Sequence, residues 1–159
     1  MRSRSKFSRS VGLRAARLLG VAVAVLVAEA VWSLAEFALG IHLQAPAGAG
    51  YPEPVDIGPL TVAVATAVLS LLGWGVLAVL EQLTPNARRI WLLVALVALA
   101  VSLAMPLTGF GVSLANRAVL VLLHMAVAAV LVPALYRTSP GHLPRPSQPS
   151  STVAHGEAA

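Results

Sequence analysis

Cysteine is absent from the 159 residues. Disulfides, thiolate zinc sites, iron–sulfur ligation and lipoprotein-type anchoring through a cysteine are therefore excluded, and the redox compartment is left open. Charge is also scarce. Asp, Glu, Lys and Arg make up 11% of the chain, against roughly 25% in soluble domains. Acidic residues number 6 and aromatic residues are 5%. The isoelectric point near 11.1 would fit a nucleic-acid partner, but no basic tract interleaved with aromatics is present to bind one. Nor is there a Ser–His–Asp set, a glycine loop that could cradle phosphate or a dinuclear carboxylate motif. The expectation is a protein without cofactor or metal, and one that leans away from catalysis.

What the chain has is apolar length. Hydrophobic residues are 58% of it and the mean hydropathy is +0.84. Four runs reach the roughly 20 residues that a helix with a rise of about 1.5 Å per residue needs to cross a hydrocarbon core. They are Leu18–Leu39, Leu60–Leu80, Ile90–Leu107 and Ser113–Leu135. No run alternates with period two as a barrel strand would, and backbone groups in lipid must be satisfied within their own segment. The predicted fold is all-α: a membrane-embedded four-helix up-down bundle.

The flanks set the orientation. Arg2, Arg4, Lys6, Arg9, Arg14 and Arg17 precede the first run, Arg88 and Arg89 lie between the second and third, and Arg137 and Arg145 follow the fourth. All basic residues except Arg117 thus fall on one side. The positive-inside rule makes that side cytoplasmic, with both termini and the connection between the second and third runs on it. The loop from Gln44 to Pro59 has no Lys or Arg and carries Glu53 and Asp56, as an outer loop would. Three parts follow: a basic segment at 1–17 that meets anionic headgroups, a transmembrane domain at 18–136, and a tail at 137–159. The tail's Pro, Ser and Gly content predicts disorder. A signal peptide ending at Ala28-Glu29-Ala30 competes for the N-terminus, but the apolar character continues past it to Leu43, so the first helix is expected to be retained.

Local chemistry marks the helix ends. Gly40 can terminate the first helix, Pro59 suits the first turn of the second, and Thr84-Pro85 reads as the start of the third. Glu81 is expected to meet Arg88 or Arg89, and Trp91 and Tyr136 to anchor at the interface. Gly73-Trp74-Gly75, Ala24/Ala28 and Ala100/Ala104 read as close-packing positions. Pro106 and Pro133 are expected to kink or end their helices.

The candidate site is intramembrane. Glu29 and Glu36 lie within the first run, where an unpaired charge costs about 2.5–3.5 kcal/mol, so each must face protein, water or a cation. Seven residues apart, they share a helical face with Trp32 and Ser33. Arg117 and His124 repeat that spacing in the fourth run. An antiparallel contact would set Glu36 beside Arg117 and Glu29 beside His124 about 10 Å deeper. Glu29 and His124 could then exchange a proton. Alternatively, the four residues lock two helices together in register. His42 with His124 is a weak haem pair, and His142 and His155 are too far apart for a metal.

The segments LLGWGVLAVLEQLTPNARRIW (71–91), SLAMPLTG (102–109) and HMAVAAVLVPAL (124–135) carry a resemblance. They are similar to an actinobacterial family of small four-helix membrane proteins classed only as a domain of unknown function. The Ala/Val/Leu/Arg-heavy composition is what a high-GC actinobacterial genome encodes. The resemblance covers about residues 18 to 136. It implies a multi-pass protein of the bacterial cytoplasmic membrane with four spans, and brings no activity, cofactor or catalytic residue with it. Two functions stay open: a non-enzymatic accessory, interaction or structural subunit, and a small proton- or cation-coupled transporter or channel subunit.

Overall fold

The computed structural model describes residues 2–47 and 52–139, with 2–10 as backbone only. Four helices dominate: α1 Arg2–Ser33, α2 Pro59–Leu83, α3 Ala87–Thr108 and α4 Leu114–Thr138. Each is long and apolar enough to cross a membrane, with mean hydropathy of 2.2 to 2.6 over its most apolar stretch. Only between 11% and 28% of each of those stretches is buried inside the protein. Surfaces of this kind, with Leu19, Leu26, Leu72, Leu93 and Val101 all exposed, are at rest in lipid rather than water. The fold is that of a multi-pass membrane protein.

The helix ends follow backbone chemistry. α1 passes into a single π-helical turn, Leu34–Ala38, and stops where Gly40 takes φ 63°, a conformation that favours glycine. Pro59 occupies the opening of α2, where its missing N–H costs nothing. Thr84 closes α2 instead of opening α3, and its hydroxyl accepts from the Asn86 N–H (3.2 Å), so α3 starts at Ala87. Ser113 caps α4 by accepting from the Asn116 N–H (3.1 Å). Pro106 and Pro133 both lie inside helices.

Packing forms a ring: α1 lies against α2 and α4, and α3 against the same two, while α2 and α4 touch across the diagonal. The core is split between the two ends. At one, Ala35, Leu43, Val119 and Leu120 pack with Trp32 and Ile57. At the other, Leu77, Trp91 and Leu135 pack with Trp74 and Tyr136. Small residues set the α1–α4 approach. Ala24 and Ala28 are fully buried, and a Cβ on Gly20 would lie 2.9 Å from the Ala134 Cβ. Gly73 and Gly75 are different: a Cβ on either meets open space, and Ala100 and Ala104 are exposed. Of the three expected close-packing sets, the Ala24/Ala28 pair is the one that is buried. Trp91, expected at an interface, is 3% exposed and donates its indole N–H to the Gly73 carbonyl (3.0 Å), tying α3 to α2.

The connections at the Glu36 end fold over the bundle. β1 Gln44–Ala45 pairs antiparallel with β2 Val55–Asp56, and Ala47 exchanges backbone hydrogen bonds with Phe110 of the α3–α4 connection. The expected disordered tail lies outside the described residues from 140 onward; α4 itself continues through Thr138.

Candidate functional site

At the opposite end, Arg17 reaches partners on two other helices. It is 6% exposed. Its guanidinium donates to Glu81 Oε1 (2.6 Å) on α2, and to the Thr138 hydroxyl (3.2 Å) and carbonyl (3.0 Å) on α4. One side chain thereby fastens three helices. The fork geometry of guanidinium suits this role, since it presents several donors in fixed directions. Glu81 therefore takes Arg17, not Arg88 or Arg89, as its partner; the Arg88 guanidinium stacks over the Tyr136 ring at 3.7 Å. Arg17 and Thr138 lie at the same level as Glu81 only once the helices are assembled, which is why their positions in the chain gave no signal.

At the Glu36 end the fastener is Asn116, 3% exposed. Its amide accepts from the Gln44 N–H (2.9 Å) and donates to the Gln44 carbonyl (2.8 Å), acting as a third strand residue for β1. Trp32 donates its indole N–H to the Ile57 carbonyl (2.8 Å), and Gln44 Nε2 donates to Asp56 (2.8 Å). These contacts hold the first connection onto α1 and α4.

The four residues singled out from the sequence are placed as follows. Glu36 meets His42 at 2.5 Å, with His42 82% exposed. Arg117 donates to the carbonyls of Leu107 (3.0 Å) and Gly109 (2.6 Å). The expected Glu36–Arg117 pair does not form, and two physical causes account for it. The π-turn at Leu34–Ala38 breaks the 3.6-residue period, so seven-residue spacing no longer keeps Glu36 on the Glu29 face. The chain then reverses at Gly40 and brings His42 back to it. The terminal carbonyls of α3, unsatisfied and at the negative end of the helix dipole, meanwhile capture Arg117. His124 Nδ1 lies 2.7 Å from the Leu120 carbonyl one turn back. A carbonyl only accepts, so Nδ1 is the donor in this contact. Glu29 Oε1 is buried and has no hydrogen-bond partner among the described residues. α1 and α4 do pack together, but no hydrogen bond joins Glu29 to His124. His42 and His124 stand apart in their contacts, the first on Glu36 and the second within α4.

An open cleft of about 620 Å³ lies between α1 and α2 at the Arg17 end. Arg14 and Arg17 of α1 and Glu81 of α2 line it, and Ala78, Gly75 and Leu71 continue it along α2. Ten residues separate Leu71 from Glu81, so the cleft follows about 15 Å of helix.

A family model matches residues 8–141. The chain belongs to DUF6069, a family of unknown function. The span it shares with DUF6069 takes in all four helices from residue 8 onward, both fasteners and the cleft, and leaves out residues 142–159. Among curated proteins and among solved structures, nothing matches this member of DUF6069.

Proposed function

We propose that the chain is a non-enzymatic accessory, interaction or structural subunit of the bacterial cytoplasmic membrane. In this reading it is an up-down bundle with both termini and the α2–α3 turn cytoplasmic. The observation that carries it is the Arg17–Glu81–Thr138 junction. Together with Asn116 on Gln44 and Arg117 on α3, it commits the polar side chains to holding helices in place. The orientation rests on charge: ten of the 11 basic residues (all but Arg117) fall at the Arg17 end by chain position. The basic segment at 1–17 then meets anionic headgroups, and the Ala/Val/Leu/Arg-rich composition supports an actinobacterial source.

Affinity capture of the intact chain from its native membrane tests the proposal. A membrane protein recovered at constant stoichiometry supports the accessory role, and recovery of the chain with itself alone counts against it. A second reading, a small proton- or cation-coupled transporter or channel subunit, draws on Glu29 Oε1, buried without a partner among the described residues, and on His124 within the same bundle. Glu29, Glu36, Arg117 and His124 would be its working residues. Ion or proton flux in proteoliposomes, lost on Glu29→Gln and on His124→Ala, would establish it. Absence of flux in the unaltered protein ends that reading.

A further inference from the structure

We infer that the cleft between α1 and α2 is a binding site for one anionic phospholipid, drawn from the leaflet at the Arg17 end. The inference rests on the membrane reading and goes beyond it by naming a seat and an occupant. The volume, about 620 Å³, lies in the range of about 300–1,000 Å³ typical of small-molecule sites. Its lining changes character along its length. Arg14, Arg17 and Glu81 are at the mouth, and about three turns of α2 carry it past Ala78 and Gly75 to Leu71, inside the apolar span. A polar head joined to a methylene chain has that same profile. Gly75 and Leu71 are exposed, and a Cβ on Gly75 would meet nothing within 4 Å, so the missing side chain leaves room for an acyl chain.

Charge selects the head. Glu81 is spent on Arg17, which leaves the mouth with one net positive charge, that of Arg14. Arg14 is exposed and makes no hydrogen bond to any described residue. A guanidinium pairs bidentately with a phosphodiester, and one such group neutralises the mouth. A zwitterionic head would bring its own ammonium against Arg14. Trp74, beside Gly75 on α2, lines the same cleft and offers an apolar ring face to the chain.

The test titrates the delipidated full-length chain in detergent with phosphatidylglycerol or phosphatidylcholine of matched acyl chains, read by native mass spectrometry. Phosphatidylglycerol should bind roughly tenfold more tightly, and Arg14→Gln should abolish that preference, as expected for one charge-assisted contact. Gly75→Leu should weaken both lipids by filling the chain-binding part, and circular dichroism melting should be unchanged in both variants. Equal binding of the two lipids by the unaltered protein overturns the proposal, as does full phosphatidylglycerol binding by both variants. Displacement of the lipid by an equal concentration of glycerol phosphate also overturns it, because the site would then take a soluble phosphate. If binding fails while the chain resists alkaline extraction from membranes, only the lipid seat is wrong; release by alkali would reject the membrane reading itself.

Discussion

Arg17 and Glu29, both on α1, have opposite environments. Arg17 is buried with its Nε and Nη2 bonded to Glu81 and Thr138, whereas Glu29 holds a buried oxygen that no described group satisfies. Removing one half of a buried ion pair leaves the other charge uncompensated, at a cost of about 3–5 kcal/mol. Arg17→Ala should therefore lower stability by about 3 kcal/mol in detergent-titrated unfolding, and Arg17→Leu combined with Glu81→Leu should recover most of it. A double variant as unstable as the single one would refute the assignment. Glu29 predicts the opposite sign. An unpaired buried polar atom costs about 1–3 kcal/mol, so Glu29→Met should raise the melting temperature, equivalent to about 1 kcal/mol. A loss of stability instead would mean that this carboxyl is paired.

At the scale of elements, glycines that look alike in sequence play different parts. Gly20 sits where α1 and α4 touch, and its added Cβ would stand 2.9 Å from the Ala134 Cβ, well inside the usual carbon separation of about 3.5–4.0 Å. Gly20→Ala should thus cost about 1–3 kcal/mol by forcing the two helices apart. Gly73 has open space around it and sits inside α2. Gly73→Ala should leave stability unchanged or raise it by up to about 1 kcal/mol, since alanine loses less backbone entropy in a helix. Unfolding curves of the two variants, measured side by side, check the contrast. The π-turn belongs to this scale as well. By widening one turn of the helix it separates Glu36 from the Glu29 face and ends α1 in a reversal that places His42 on Glu36.

For the whole molecule the decisive quantity is which face of the membrane each end occupies. The absence of cysteine makes this measurable without removing native thiols. Single cysteines at Glu53, Asn86 and Arg137, all exposed, should label differently in intact cells. An impermeant maleimide should reach Glu53→Cys directly, and Asn86→Cys and Arg137→Cys only after permeabilisation. Labelling of Asn86→Cys in intact cells would invert the orientation drawn from the basic residues.

Four apolar spans, their approximate limits, the Gly40 stop and the Pro59 start were all legible in the chain, because hydropathy and backbone preferences are properties of neighbouring residues. The pairing of Glu36 with Arg117 was not, since helical spacing presumes an unbroken period and takes no account of the carbonyls waiting at the end of α3. Nor could the chain reveal that Arg17, Glu81 and Thr138 meet, that Asn116 completes the β1 edge, or that Trp91 turns inward to Gly73. Sequence alone determined that four runs are long and apolar enough to cross a membrane and roughly where each lies. Which polar groups meet was decided by the tertiary structure, because in a bundle with few charges a donor meets only the acceptors that packing brings to its own depth.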